Sequence, residues 1–298
     1  MKVLVTGANG FIASHLVASL SDNPDVELIV TSRNIPRFVP GNGVSDILNV
    51  ANKQQVAYCM LQYAPEVVVH CAAMASVDAC EANKEEAWRI NVEGTQWLLE
   101  ESEKTGAHFL FLSSDFVFSG RDMTNTETDE PNPVNFYGLT KQKAESLIMQ
   151  GNTPWTIVRP VLVYGASEPY MRENLFSLIY KKLEAGEGMN LVDDQFRTPT
   201  YVQDLVWSLT QIIEQRIIGI YHIGGAEAIS IYAFGLRLAH CFNFSSEDLK
   251  PVPSKSLAGA ELRPQRTVFE NLKARRVLNY QPTPLETSFE SLKERLTN

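Results

Sequence analysis

The sequence predicts an α/β fold: a doubly wound parallel sheet carrying a smaller C-terminal α/β lobe. Three observations lead there. Short β-rich runs alternate with helix-length stretches through the first half, a glycine turn joins the first strand to the first helix, and the alternation loosens after Gly165. Strands that alternate with helices pair in parallel through right-handed crossovers, which generates a sheet covered on both faces.

The elements follow in order. Lys2–Thr6 is a short strand, and the turn after it opens an apolar-periodic helix that runs to Leu20. Residues 27–31 form a second strand and Val67–His70 a third. Residues 85–105 read as one helix, with Trp88, Val92, Thr95, Leu98 and Leu99 near one face. Residues 108–113 are a fourth strand, 137–149 a helix and 155–159 a fifth strand. Beyond Gly165, residues 174–185 and 202–214 read as helices, and Gly219–Ile223 as a strand able to rejoin the sheet. Residues 251–264 look irregular, and 273–278 resemble a short helix. The boundary falls at residue 165, dividing the chain into 1–165 and 166–298, with the backbone crossing between the two lobes.

The glycine turn carries the first chemistry. In Gly7-Ala8-Asn9-Gly10-Phe11-Ile12-Ala13, Gly7 permits a tight turn, and Gly10 removes the Cβ that would bar a pyrophosphate from the helix N-terminus. Ala13 is small where the helix must lie close to the strand. Set between a strand and a helix, this pattern marks a Rossmann-type dinucleotide site, where an isolated glycine pattern would mark only a turn. The second strand ends in Ser32-Arg33. An acid there would bind a ribose 2′-hydroxyl and repel a 2′-phosphate; a hydroxyl and a guanidinium do the reverse, so NADP(H) is preferred over NAD(H). The plain alternative is a solvated loop arginine. Asp46 and Ile47 lie where an acidic–apolar pair can flank an adenine.

Tyr137 and Lys141 stand four residues apart, on one face of a helix. An ammonium so placed can acidify the phenol and reach a nicotinamide ribose, so that the tyrosine can pass a proton to or from a substrate oxygen. Ser114, ending the fourth strand, can bind the same oxygen. Asn91 can anchor a water that relays protons to Lys141. A lone pair at this spacing is common on surface helices. The serine and the glycine turn together make chance a poor account of it.

These residues resemble the extended short-chain dehydrogenase/reductases, and among them the dTDP-4-dehydrorhamnose reductases. The resemblance runs over nearly the whole chain: the turn from Gly7 to Ala13, Cys71-Ala72-Ala73, Val77-Asp78 with Glu81, Ile90-Asn91, Ser113-Ser114-Asp115-Phe116-Val117-Phe118, Pro133 to Gly138, Arg159-Pro160, Val163-Tyr164-Gly165, Asp194-Gln195-Phe196, Pro199-Thr200 and Arg263-Pro264. It implies NADPH-dependent reduction of a 4-keto sugar nucleotide by Ser114, Tyr137 and Lys141. It also implies cofactor contacts at Cys71, Ala72 and Ala73, and substrate contacts at Val77, Asp78, Arg197 and Arg263. Residues 1–165 would then hold NADP and 166–298 the substrate. Two positions depart from the pattern. Leu162 stands where those reductases usually carry a tryptophan that helps hold the sugar, and the loop from Ala73 to Ser76 is less polar. Both put the identity of the sugar in doubt.

Three other functions compete. A sugar-nucleotide epimerase would keep a tightly held NAD and usually an acidic end to the second strand, against Arg33. A dehydratase would need a glutamate base where Phe116 stands. The regulatory β subunit of methionine adenosyltransferase resembles the same reductases and binds NADP, yet serves as a partner protein.

Composition narrows the remainder. A net charge of −9 argues against nucleic acid or an anionic membrane surface as partner. Four cysteines without paired spacing argue for reduced thiols, and five histidines without clustering for no metal. No apolar run reaches the length of a membrane span or a signal segment, so a cytoplasmic protein is expected, with a homodimer left open.

Overall fold

The computed structural model describes residues 1–38, 40–121, 123–168 and 171–297. Seven parallel strands form the main sheet: β1 Lys2–Thr6, β2 Glu27–Ser32, β3 Gly43–Ile47, β4 Val67–His70, β5 His108–Leu112, β6 Trp155–Pro160 and β9 Gly219–Ile223. Their spatial order is β3-β2-β1-β4-β5-β6-β9. The order reverses between β1 and β4, and such a switch point leaves a crevice at the carboxyl ends of the strands. β1, β4 and β5 are apolar along nearly their whole length because helices cover both faces.

On one face lie α1 Phe11–Ser21 and α8 Val202–Gln215, joined through a core that includes Leu16, Leu20, Leu205 and Ile212. The other face carries α2 Lys53–Tyr63, α5 Gly94–Thr105 and α6 Phe136–Gln150, with Met60, Leu98 and Ile148 beneath them. The chain between β4 and β5 contains α3 Val77–Ala82, α4 Lys84–Trp88, a π-helical turn Arg89–Glu93 and α5. The single helix expected over 85–105 is thus present and continuous, with a π-helical turn inserted, a type of irregularity frequent at functional sites.

The C-terminal part has its own aromatic core of Tyr164, Phe176, Phe234, Phe242 and Phe289. It packs among α7 Leu175–Glu184, α9 Ile231–Phe242 and α11 Leu285–Thr297. β7 Met189–Val192 pairs in parallel with β11 Leu249–Val252, and β8 Phe196–Arg197 lies between β10 Ile229–Ser230 and β12 Arg266–Thr267. The region expected to be irregular, 251–264, therefore holds the end of β11 and two short 3-10 turns, Ser254–Ser256 and Ala260–Leu262. α10 Leu272–Leu278 covers β9, where Lys273 Nζ donates to the Ile220 carbonyl over 2.7 Å. Among the described residues no helix is long and apolar enough to cross a membrane.

Candidate active site

Gly7 has φ +72°, and a Cβ there would come within 2.7 Å of the Ala72 backbone. Glycine is therefore required both by conformation and by the approach of the chain leaving β4. Gly10 caps α1 without a side-chain partner, and the first turn of α1 carries no acid. The helix thus presents unclaimed N–H groups and the positive end of its dipole on the side where Gly10 lacks a Cβ, which suits a pyrophosphate. Asn9 ties the turn to the end of β2: its Nδ2 donates to Ser32 Oγ at 2.9 Å, and its Oδ1 accepts from Arg37 N at 2.9 Å. Phe11 and Ile12, half buried, start α1, with Phe11 edge-on to His15.

The end of β2 is less tightly built. Ser32 is buried and donates to the Asn34 carbonyl, so its hydroxyl is engaged inside the loop. The Arg33 side chain is 67% exposed, 3.9 Å from Glu86. Asp46 pairs with Thr31 across β2 and β3, accepting from its neighbour Ile47 N and from Tyr63 OH. Ile47 stands exposed at the strand end.

Beneath the crevice a hydrogen-bonded chain fixes the floor. Ala72 N–H donates to Thr6 Oγ1, Thr6 Oγ1 meets His70 Nδ1 at 2.8 Å, and His70 Nε2 meets Thr95 Oγ1 at 3.0 Å. Thr95 itself donates to the Asn91 carbonyl, so it must accept from His70. His70 is therefore the Nε2–H tautomer, and burial holds its pKa down to about 3, keeping it neutral. Cys71 and Ala73 flank Ala72 on this floor, and burial pushes the Cys71 thiol up to about 12.

Ser114 lies just past β5, opening a 3-10 turn Asp115–Val117 that accepts the crossing of α6. That crossing depends on Gly138, where a Cβ would lie 2.0 Å from the Phe116 carbonyl oxygen. The close approach sets the Tyr137 ring edge-on to that of Phe116, 6.1 Å between centres, two residues beyond Ser114. Burial is the main influence on the phenol and raises its pKa; the Ser114 hydroxyl opposes it. The expected acidifying effect of Lys141 is not the governing one here, and the tyrosine is held protonated. Lys141 is buried one turn along α6, donates to the Leu112 carbonyl at 2.7 Å, and lies 4.4 Å from the centre of the Phe111 ring. Burial brings its pKa down to about 8.

Asn91 sits in the π-helical turn and does not reach Lys141. Its Oδ1 accepts from Met74 N, and its Nδ2 donates to the Met74 carbonyl and to Thr140 Oγ1, so both amide hydrogens are committed to a clamp between the β4 loop and α6. Arg197 also departs from expectation. It is buried, donating to the carbonyls of Phe196, Pro264 and Gln265, with Nε 3.8 Å from Asp115. Val77 is buried beside Tyr137 in a small apolar cluster. Asp78 and Arg263 meet each other at 2.9 Å, joining α3 to the 259–263 loop at the rim. Leu162, at the end of β6, has φ +38°, a strained conformation for a bulky residue, and packs between Phe118 and Phe269 on one side and the C-terminal core on the other.

The model of the RmlD substrate binding domain matches residues 1–298. The chain belongs to this family. Among similar proteins, methionine adenosyltransferase 2 subunit beta of Xenopus tropicalis is 30% identical over 290 residues, 95% of this chain and 84% of that one. Spore coat polysaccharide biosynthesis protein SpsK of Bacillus subtilis is 31% identical over 238 residues, covering 80% and 78%. The crystal structure of dTDP-4-dehydrorhamnose reductase from Bacillus anthracis in complex with NADP superimposes with a TM-score of 0.86 at 25% identity, over 99% of each chain. The structural relatives of this RmlD-family chain are reductases and epimerases of the short-chain dehydrogenase/reductase kind.

Sequence reasoning missed three supports of this RmlD-family site. Glu145 and Arg159 form a fully buried bidentate pair at 2.6 and 2.9 Å, and Ser113 donates into it from beside Ser114. Glu145 lies one turn past Lys141 on the same helix face, which was the available signal. Glu81 accepts from Phe136 N at 2.7 Å and so caps α6; the nearby backbone donor lowers its pKa. Asp115 is buried among Ser114, Thr267 and Arg197, and nothing in its sequence context marks it as interior.

Proposed function

We propose that this chain is an NADPH-dependent reductase of a 4-keto sugar nucleotide, with Tyr137 as the proton donor. The observation that carries this reading is the burial of Ser114, Tyr137 and Lys141 together at the carboxyl end of β5, with Lys141 fixed to the Leu112 carbonyl. The glycine cradle at Gly7 and Gly10 and the open end of α1 fit a dinucleotide pyrophosphate. Bound there, the cofactor supplies a hydride. Cys71, Ala72 and Ala73 border its path, and Lys141 is one turn from Tyr137, where it can hold the nicotinamide ribose. Tyr137, kept protonated by burial, delivers the proton to the substrate oxygen. Ser32 and Arg33 favour NADPH over NADH, with Asp46 and Ile47 at the adenine. Val77, Asp78 and Arg263 face the nucleotide end of the substrate.

The likeness to methionine adenosyltransferase 2 subunit beta favours a second reading, a nicotinamide-binding subunit of another enzyme. One experiment separates the two: NADPH oxidation measured against a panel of 4-keto sugar nucleotides, alongside the size of the purified assembly. Turnover above 1 s⁻¹, at the low end of ordinary enzymes, is expected on the first reading. NADPH binding without turnover on any member of the panel would reject it.

A further inference from the structure

Glu145 and Arg159 take no part in the reduction proposed above, yet together they hold both ends of the segment that bears Ser114. Before that segment, Ser113 Oγ donates to Glu145 Oε1 at 2.5 Å, the short contact expected of a hydroxyl on a charged carboxylate. After it, the Arg159 guanidinium lies 5.2 Å from the centre of the Phe118 ring. Between these two points run Ser114 and the 3-10 turn Asp115–Val117. The ion pair that joins them is closed: Arg159 Nε and Nη2 donate to Glu145 Oε1 and Oε2 at 2.9 and 2.6 Å. Ser113, Phe118, Glu145 and Arg159 are all buried.

The same pair ties that segment to α6. Lys141, one turn before Glu145, donates to the Leu112 carbonyl. Two successive turns of α6 therefore grip two successive residues at the end of β5, Leu112 and Ser113. Arg159 has its own anchor in β9, where its Nη1 lies 3.2 Å from His222 Nε2. A guanidinium only donates, so His222 Nε2 accepts and carries no proton. Burial first, and the Arg159 charge second, lower the His222 pKa and keep the ring neutral. His222 in turn stacks on Phe269 with 3.8 Å between ring centres.

A buried ion pair gains little stability over apolar side chains of similar volume, because both charges lose their hydration. What this one supplies is direction, since each of its hydrogen bonds ends on a different element: β5, α6, β6 and β9.

We propose that Glu145 is a positioning residue, held by Arg159, that sets the segment from Ser114 to Val117 against the helix carrying Tyr137 and Lys141. Its consequence for catalysis rests on the reductase reading; its consequence for the segment does not.

The first test therefore needs no substrate. Ser113→Ala deletes the bond to Glu145 and leaves the ion pair intact. Phe116 N donates to Ser114 Oγ and Phe118 N to the Asp115 carbonyl, so both amides report on the segment. Native-state hydrogen exchange followed by NMR should show these two exchanging about tenfold faster, while the amides of β5 keep their rates. Glu145→Leu combined with Arg159→Met removes the pair without stranding a charge, and should loosen the same two amides. Because Ser113 acts through Glu145, adding Ser113→Ala to that double variant should change nothing further. Unchanged exchange at Phe116 and Phe118, a change spread evenly through β5, or full additivity of the substitutions overturns the proposal.

The second test reads the chemistry. A misplacement of 1 Å costs about a hundredfold in rate, so the smaller shift expected of Ser113→Ala should slow single-turnover hydride transfer about tenfold. NADPH affinity and KM should stay within about twofold, because the cofactor cradle and the rim are untouched. Loosened amides with an unchanged rate remove Glu145 from the positioning role. Absence of turnover in the wild type on any 4-keto sugar nucleotide, with the exchange result intact, counts against the reductase reading alone.

Discussion

The two ends of the crevice are built differently. Past β5 and along α6, Ser114, Tyr137 and Lys141 are buried; Ser114 and Lys141 are hydrogen-bonded to the backbone, and the Tyr137 ring packs edge-on to Phe116. Past β2 and β3, Arg33 and Ile47 project into solvent, and only Ser32 and Asp46 are tied in. The first region is set by packing and has one arrangement. The second leaves its selective groups free to settle on a ligand. Residues proposed to do chemistry are thus preorganised, while those proposed to choose the cofactor are not, a division expected when only one of the two tasks demands fixed geometry.

The strongest way to break that contrast is Tyr137→Phe. The ring and its apolar neighbours Val77, Cys80 and Phe116 are kept while the transferable proton is deleted. NADPH affinity should stay within a few-fold, and single-turnover hydride transfer should fall by roughly 10² to 10⁴. Equal rates would remove Tyr137 as the acid.

Gly138→Ala tests the preorganisation itself. The added Cβ meets the Phe116 carbonyl at 2.0 Å, a backbone atom that cannot yield as a flexible side chain would. α6 must move away from Ser114. Overpacking of this kind costs about 1–3 kcal/mol of stability, and a displacement near 1 Å costs on the order of a hundredfold in rate. Urea denaturation and single-turnover kinetics check both, and a fully active, equally stable variant would show that the approach of α6 is not tuned.

How legible this was from sequence follows the same division. The parallel sheet was readable because its strands are near-continuous apolar runs separated by periodic helices, and β1, β2, β4, β5 and β6 came out as expected, while α2 and α3 were not read. β3 was missed: Gly43–Ile47 is a short edge strand, and Gly43 is needed only because a Cβ there would meet the Leu28 carbonyl at 1.9 Å, a long-range fact. β8, β10 and β12 are two residues each and carry no period. β11 contains Pro251, which reads as a break but is tolerated at an edge. Within the site, the tyrosine, lysine and serine were visible through spacing. For Asn91 and Arg197 the sequence shows that a polar side chain is present without showing that folding has already used its donors.

On the exposed side, Arg33→Ala sharpens the comparison. The unmutated protein should bind NADPH more tightly than NADH, and the substitution should remove most of the difference, about 1.5–3 kcal/mol for a charge-assisted phosphate contact. Titration of both cofactors by fluorescence measures it. Equal dissociation constants before mutation would end the case for Arg33.

The smallest effect is expected at the rim, where Arg263 and Asp78 combine features of both regions. They are partly exposed, with 30% and 59% of their side chains accessible, yet they hold each other at 2.9 Å, and Arg263 also donates to the Gly259 carbonyl. A pair this open contributes roughly 0–1 kcal/mol to stability, so neither Arg263→Ala nor Asp78→Asn should disturb the fold measurably. Their effects on substrate should have opposite signs. Arg263→Ala removes a cation from the proposed nucleotide end of the substrate site and should raise KM severalfold with little change in kcat, the mark of binding lost equally from ground and transition states. Asp78→Asn releases Arg263 from its intramolecular partner, so KM should fall or hold steady. The two KM values measured side by side decide the matter: if both rise together, the ion pair matters as a structural clasp, and if neither moves, the substrate does not reach this rim.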